Sequence, residues 1–206
     1  MKKINNILNF LDELYPNVGC ELNYTKDYEL AIAVMLSAQT TDASVNRVTP
    51  ALFSTYPNIK SLADANPNDV MHFINSLGLA RNKSKNIVEF AKKLHYEYND
   101  QLPSDKSILT TFPGIGNKSA GVIRAEVFKI PDLPVDTHIL RISNRLQLTE
   151  SSNPDVVEKD LKKLISKEKW IKIHHQLIHF GRYFCLARNP KCQNCNIKCY
   201  CSEKKI

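Results

Sequence analysis

Two short segments hold residue types from which chemistry can be built. Phe112-Pro113-Gly114-Ile115-Gly116-Asn117-Lys118-Ser119-Ala120 sets a glycine hairpin directly before a lysine, and Val135-Asp136-Thr137-His138 offers a carboxylate at a helix start. Gly114 and Gly116 permit backbone angles and close approaches that a side chain would block. Their amides, with the N-terminus of the following helix, can point at a phosphate oxygen. Lys118 falls in the first turn of that helix, where a cation opposes the helix dipole. The same field favours the neutral amine, the form that a Schiff-base nucleophile needs. Asp136 fits the N-cap of a helix beginning at Thr137. A cap that faces a cleft also stabilises a cationic sugar transition state. Amine, carboxylate and phosphate-holding hairpin together point to chemistry on a nucleotide. Taken singly, each has a plainer reading: an ordinary turn between helices, a surface lysine on phosphate, a helix cap.

A third group lies further along. Cys185, Cys192, Cys195 and Cys201 are spaced six, two and five residues apart, and Cys199 adds another thiol beside them. Five of the six cysteines fall between 185 and 201, a clustering that in a cytosolic chain points to metal rather than disulfides. The spacing matches neither the usual zinc-finger pattern nor the common ferredoxin patterns, so zinc and an iron–sulfur cluster are equal alternatives on chemistry alone. Cys199 and Cys201 compete for the last ligand position. Cys20 stands apart as a small buried apolar residue.

These groups need a frame. The chain has 206 residues and a formal charge of +7, enough for one large domain or two small ones, and its basic balance favours a polyanionic partner. From Gly181 onward six basic residues face one acid, so this stretch carries +5 of that charge. Nucleic acid is its natural partner, with a solvated tail as the plainer alternative. No apolar run is long enough to span a bilayer, and Asn9, Asp12 and Glu13 interrupt any signal sequence after the basic N-terminus. The reading is a cytoplasmic protein that does not enter a membrane.

Apolar residues recur at helical spacing and no segment has convincing strand character, so the expected class is all-α. The most apolar segment, 27–39, predicts a central buried helix. Asn66 as N-cap and Pro67 at the first position open another, which Gly78 closes. Further helices are predicted over 83–98, 104–111, 117–128 and 137–148, from Asn153-Pro154-Asp155 onward, and over 170–184. Pro50, inside a helical pattern, predicts a kink or break. The best break in pattern, 131–134, separates Lys118 from Asp136 and predicts an active site between two lobes.

Taken in order, the motifs resemble those of bacterial endonuclease III, in the helix-hairpin-helix DNA glycosylase superfamily. The likeness covers nearly the whole chain. It rests on Leu36-Ser37-Ala38-Gln39-Thr40-Thr41-Asp42, Gly78-Leu79, Pro113-Gly114-Ile115-Gly116-Asn117-Lys118, Val135-Asp136-Thr137-His138 and His179-Phe180-Gly181-Arg182-Tyr183. The chain departs from the family pattern at Asn117, where a basic residue is usual, and at Thr110, Ser119, Gly121, Arg124 and Glu126.

The resemblance implies an all-α, two-lobe fold. A six-helix barrel over 21–130 carries the helix-hairpin-helix motif (about 107–128), and residues 1–20 with 131–206 form a cluster domain whose loop is 185–201. It implies a [4Fe-4S] cluster on Cys185, Cys192, Cys195 and Cys201, since Cys201 keeps the family's final spacing. It implies a monomeric, nucleoid-associated bifunctional glycosylase and abasic-site lyase acting on oxidised pyrimidines in damaged duplex DNA. Lys118 is the implied nucleophile and Asp136 the group that stabilises charge at the sugar. Gln39 fills the space left by the flipped nucleotide, Leu79 is a wedge between bases, and Gly114, Gly116, Arg188 and Lys191 meet the DNA backbone. The alternatives are a monofunctional adenine or mismatch thymine glycosylase of the same superfamily, and a non-catalytic DNA-binding module.

Overall fold

The computed structural model describes residues 2–203, and all their regular structure is helical. In chain order the α-helices are α1 (Lys2–Leu14), α2 (Asp27–Leu36), α3 (Asp42–Thr55), α4 (Ile59–Ala63), α5 (Pro67–Ile74), α6 (Ala80–Tyr98), α7 (Lys106–Leu109), α8 (Asn117–Val127), α9 (Thr137–Arg145), α10 (Pro154–Leu164) and α11 (Trp170–His179). The chain forms two compact units, one from residues 21–128 and the other from 1–20 joined with 129–206. Among the described residues no helix is long and apolar enough to cross a membrane.

The unit of residues 21–128 is built around α2. Every residue from Glu29 to Leu36 is buried, as befits a helix that is apolar all round. It packs against α3, α6 and α8. Glu29, the buried acid of α2, is satisfied by the backbone N–H groups of Thr25 (2.8 Å) and Lys26 (3.1 Å) and by the Thr25 hydroxyl (2.8 Å). Asn66 caps α5 by accepting from the Asn68 N–H at 2.9 Å, with Pro67 at the first helical position. That helix ends at Ile74, before Gly78. Its successor begins at Ala80, a turn earlier than the apolar pattern indicates. α3 runs unbroken through Pro50 to Thr55. Pro50 is exposed, while Thr49 and Leu52 on either side are buried and keep the helix docked.

The other unit is discontinuous in sequence. Ile7, Leu8, Phe10 and Leu11 of α1 share one core with Ile139, Ile142, Leu161, Ile173, Leu177 and Phe180. Gln176, fully buried on α11, has Nε2 within hydrogen-bonding distance of Leu11 O (3.3 Å), Asp12 Oδ1 (2.8 Å) and Tyr15 O (3.0 Å), which ties α11 to the end of α1. α11 does not continue as an α-helix to Phe184. It passes into a π-helical turn over Phe180–Phe184, which stacks Phe180 on Phe184 at 5.1 Å, and Phe10 meets both rings edge-on at about 6 Å.

Candidate active site

The hairpin lies between α7 and α8. Phe112, nearly inaccessible, packs against Phe90 (5.4 Å between centroids) and Tyr98 (5.2 Å). Lys93 Nζ sits 5.2 Å over its ring and donates to Thr111 Oγ1 at 2.8 Å. The Ile115 N–H closes the turn on Phe112 O at 3.1 Å, with the Ile115 side chain buried. The two glycines differ. Gly114 has φ +81°, and a Cβ there would stand 2.7 Å from Met35 Sδ and 3.1 Å from Asn86 Cβ. Gly116 has φ −94° and ψ −179°, ordinary extended backbone, with nothing within 4 Å of an added Cβ. Only Gly114 is demanded by the protein's own packing.

Gly116 is the N-cap of α8 and brings no side-chain acceptor, so the first-turn amides need one from elsewhere. Lys118, the second residue of that helix, is exposed, as are Asn117 and both glycines. Among the departures from the family pattern, Thr110 Oγ1 donates to Ser107 O at 2.8 Å, and Arg124 Nε to Ser104 O at 3.0 Å. Gln39 and Leu79 are also exposed, and both have left-handed backbone, with φ 55° and 62°.

Lys118, Gln39, Leu79 and the hairpin belong to the unit of residues 21–128, and Asp136 to the other. Asp136 is the N-cap of α9, and its Oδ1 accepts from the Ile139 N–H at 2.8 Å. The carboxylate is half-buried. α9 lies close to the turn after α11 because residue 181 is glycine: a Cβ there would be 2.8 Å from His138 Cβ and 3.2 Å from Arg141 Nη2. Burial pushes the His138 pKa below its ordinary value, against the pull of Asp136 in the opposite direction.

Two arginines of α9 organise the cysteine loop. Arg141 Nη2 donates to Gly181 O (2.8 Å) and Cys185 O (3.2 Å). Arg145 donates to Leu186 O (2.7 Å), Ala187 O (3.3 Å) and Cys185 Sγ (3.4 Å), and pairs with Glu203 at 2.9 Å. Cys185, Cys192, Cys195 and Cys201 line a cavity of about 390 Å³ with Phe180, Phe184 and Arg145. Cys199 is exposed and lies on a separate depression beside Asn6 and Tyr200. No three His, Cys, Asp or Glu side chains among the described residues are arranged as around one metal ion. The four thiols ring the cavity instead. Burial pushes the Cys195 and Cys201 thiols up, the direction that a thiolate-binding metal must reverse. Arg188 and Lys191 are exposed on the loop between the first two of these cysteines, with Asn189 in left-handed conformation, φ 51°.

Sequence reading had not singled out Gly181, Arg141, Arg145 or Lys83. Gly181 was part of a quoted motif, but its role is steric and needs the partner helix to become visible. Lys83 looked like the start of a helix and is instead buried within its first turn.

Residues 32–167 match the HhH-GPD superfamily base excision DNA repair protein family. The chain is 39% identical to endonuclease III of Bacillus subtilis (strain 168) over 204 residues, covering 98% of this chain and 93% of that one. It superposes with TM-score 0.94 on a non-covalent endonuclease III–DNA complex and 0.93 on a trapped endonuclease III–DNA covalent intermediate in an estranged-adenine complex. Both are 39% identical and cover 98% of this chain and 95% of theirs. The chain belongs to the HhH-GPD superfamily and, within it, to the endonuclease III family.

Proposed function

We infer that this protein removes damaged bases from duplex DNA and cleaves the strand at the resulting abasic site, as a bifunctional glycosylase and lyase of base excision repair. The observation that carries the chemistry is Lys118, an exposed amine in the first turn of α8 soon after the left-handed turn at Gly114. A monofunctional glycosylase needs no amine at that position. A relative of 39% identity has been trapped as a covalent intermediate with DNA, which supports a covalent route here.

In the proposed sequence the Lys118 amine, once neutral, donates its electron pair to C1′ of a flipped oxidised pyrimidine nucleotide. The bond from C1′ to the base breaks, and the base leaves with that bond's electron pair and takes up a proton. Asp136 stabilises the positive charge that develops at the sugar while remaining the cap of α9. Opening of the sugar ring gives a protonated Schiff base between Lys118 and C1′. Loss of the C2′ proton then expels the 3′ phosphate by β-elimination and nicks the strand 3′ to the lesion. Water finally releases the lysine. Gly114 and Gly116, with the first-turn amides of α8, bind a backbone phosphate. The open space at Gly116 suits such a close approach. Gln39 occupies the space vacated by the flipped nucleotide and Leu79 wedges the neighbouring step; flipping costs a few kcal/mol that these contacts offset.

The donor set of the cysteine cavity fits a [4Fe-4S] cluster held by Cys185, Cys192, Cys195 and Cys201. The cluster's chemistry there is that of a cross-link among four thiolates. Arg141 and Arg145 fix the loop's backbone, and Arg188 and Lys191 contact DNA phosphates. The protein works in the cytoplasm on nucleoid DNA.

Borohydride reduction on a duplex with one thymine glycol tests this reading. The expected result is a covalent protein–DNA adduct with the wild type and none with Lys118→Ala. Free base without adduct would identify a monofunctional glycosylase. Binding without any product would leave a DNA-binding module.

A further inference from the structure

Gln39 and Leu79 share an unusual backbone state. Both are non-glycine residues with φ near +60°, a conformation that L-residues rarely adopt. Such strain persists only where surrounding contacts over-determine it. Leu79 is also 54% exposed, so burial of its side chain does not hold it there.

One residue is bonded to both places. Lys83 lies in the first turn of α6, and its backbone N–H donates to Leu79 O at 3.0 Å, the usual bond at a helix start. Its side chain does something less usual. The residue is only 5% exposed, and its ammonium donates to Leu36 O (2.8 Å) and to Thr40 Oγ1 (2.9 Å). Thr40 Oγ1 in turn donates to Ala38 O at 3.3 Å. The bonded positions 36, 38 and 40 bracket Gln39. Leu36 ends α2, where a cation complements the helix dipole. Yet both direct partners of this buried ammonium are neutral groups, and burial alone pushes its pKa down. A buried charge without a countercharge is a poor device for stability, because an apolar side chain of similar size fills the same space without the desolvation penalty.

We propose that Lys83 is a positioning residue that locks the Gln39 and Leu79 loops into one preset pair of probes, so that both enter the duplex together when a nucleotide leaves the stack. The proposal rests on the function inferred above. It assigns the lesion-specific part of binding to an interaction that touches no DNA.

The test uses full-length, metal-loaded protein and a duplex with a tetrahydrofuran abasic analogue opposite 2-aminopurine, beside the same duplex undamaged. Anisotropy reports affinity, and 2-aminopurine fluorescence reports disturbance of the orphaned base. For Lys83→Met we expect a loss of about 10-fold or more on the abasic duplex against about 2-fold or less on the undamaged one, with a smaller fluorescence change. In a background carrying both Gln39→Ala and Leu79→Ala the same substitution should add less than about 2-fold, as expected when the residues it positions are already gone. Equal losses on both duplexes would mean a structural lysine and overturn the proposal, as would additive losses in that double-substituted background. Thr40→Val removes the Lys83–Thr40 and Thr40–Ala38 bonds and keeps the ammonium. It should show the same selective loss at smaller size, and it decides the matter if Lys83→Met fails to fold. A wild type that does not distinguish the two duplexes would overturn the proposed function and this inference with it, before any variant is made.

Discussion

The two glycines of the hairpin invite a matched pair of substitutions with opposite outcomes. Gly114→Ala must hold an alanine at φ +81° and place its methyl 2.7 Å from Met35 Sδ and 3.1 Å from Asn86 Cβ. The left-handed conformation costs roughly 1–2 kcal/mol. Crowding adds about 1–3 kcal/mol, more of it from Asn86 Cβ, fixed to α6, than from the flexible methionine. The reduced freedom of the unfolded chain returns about 0.4–1 kcal/mol. The net is a destabilisation of about 1–4.5 kcal/mol, or roughly 2–18 °C in melting midpoint for a chain of this size. Gly116→Ala meets neither obstacle, since its backbone is extended and no atom lies within 4 Å. Its midpoint should stay within about 2 °C of wild type, while duplex affinity falls because the methyl stands where a phosphate must approach. Thermal loss of helical circular dichroism gives the midpoints and anisotropy gives the affinities. A Gly114→Ala midpoint equal to wild type would refute the steric reasoning. A Gly116→Ala variant that binds DNA normally would refute the assignment of that space to phosphate.

Three further outcomes follow from the other unit. Asp136→Asn keeps an oxygen able to accept from the Ile139 N–H, so its melting midpoint should hardly move while turnover drops about 100-fold or more; near-normal turnover would reduce Asp136 to a helix cap. Cys201→Ser should lose the iron and the broad visible band near about 400 nm expected of a [4Fe-4S] protein, whereas Cys199→Ser, outside the cavity, should keep both; the reverse result would move the fourth ligand. Half-buried His138 titrates below the ordinary histidine value of 6.5, so the unfolded chain binds the proton first. The stability tied to neutral His138 is complete above pH 6.5 and is lost as pH falls towards the folded value. Melting midpoints should therefore decline less steeply below pH 6.5 for His138→Asn than for wild type, and parallel declines would show that another group governs the slope.

The helix starts were the most legible part of the fold. Asn66-Pro67, Asp136-Thr137 and Asn153-Pro154 carry local capping chemistry, and each opens a helix where it stands. Helix ends were less legible. α5 stops at Ile74 although the next glycine is Gly78, and α11 turns π-helical at Phe180, because tertiary contacts decide where a helix gives way. Pro50 looked like a breaker, but the cost of its missing N–H is carried by the buried neighbours of α3. α1 is masked in the sequence by its basic, asparagine-rich start, although Ile4, Ile7, Leu8 and Leu11 recur at helical spacing. In the candidate site, ordered motifs are what single out Lys118, Asp136 and the cysteines as the residues to test. The left-handed backbone at Gln39 and Leu79 and the buried ammonium of Lys83 depend on contacts between distant segments, and no local pattern encodes them.

The tie from Gln176 to the end of α1 has a consequence for how the chain comes to be finished. α1 leaves the ribosome before the whole of residues 21–128, and α11 only after them. The hairpin-bearing unit is contiguous and can fold while α1 is still without its partner. In that interval Ile7, Leu8, Phe10 and Leu11 have no core to enter, and such exposed stripes invite misassociation during synthesis. Closing so long a gap is not itself prohibitive, since each doubling of loop length costs only about 0.6 kcal/mol. The timing matters more: the cysteine loop follows directly on α11, so the proposed cluster would be loaded into a unit whose two ends have only just met. Damage to the first helix would then be felt as failed metal loading near the opposite end of the sequence.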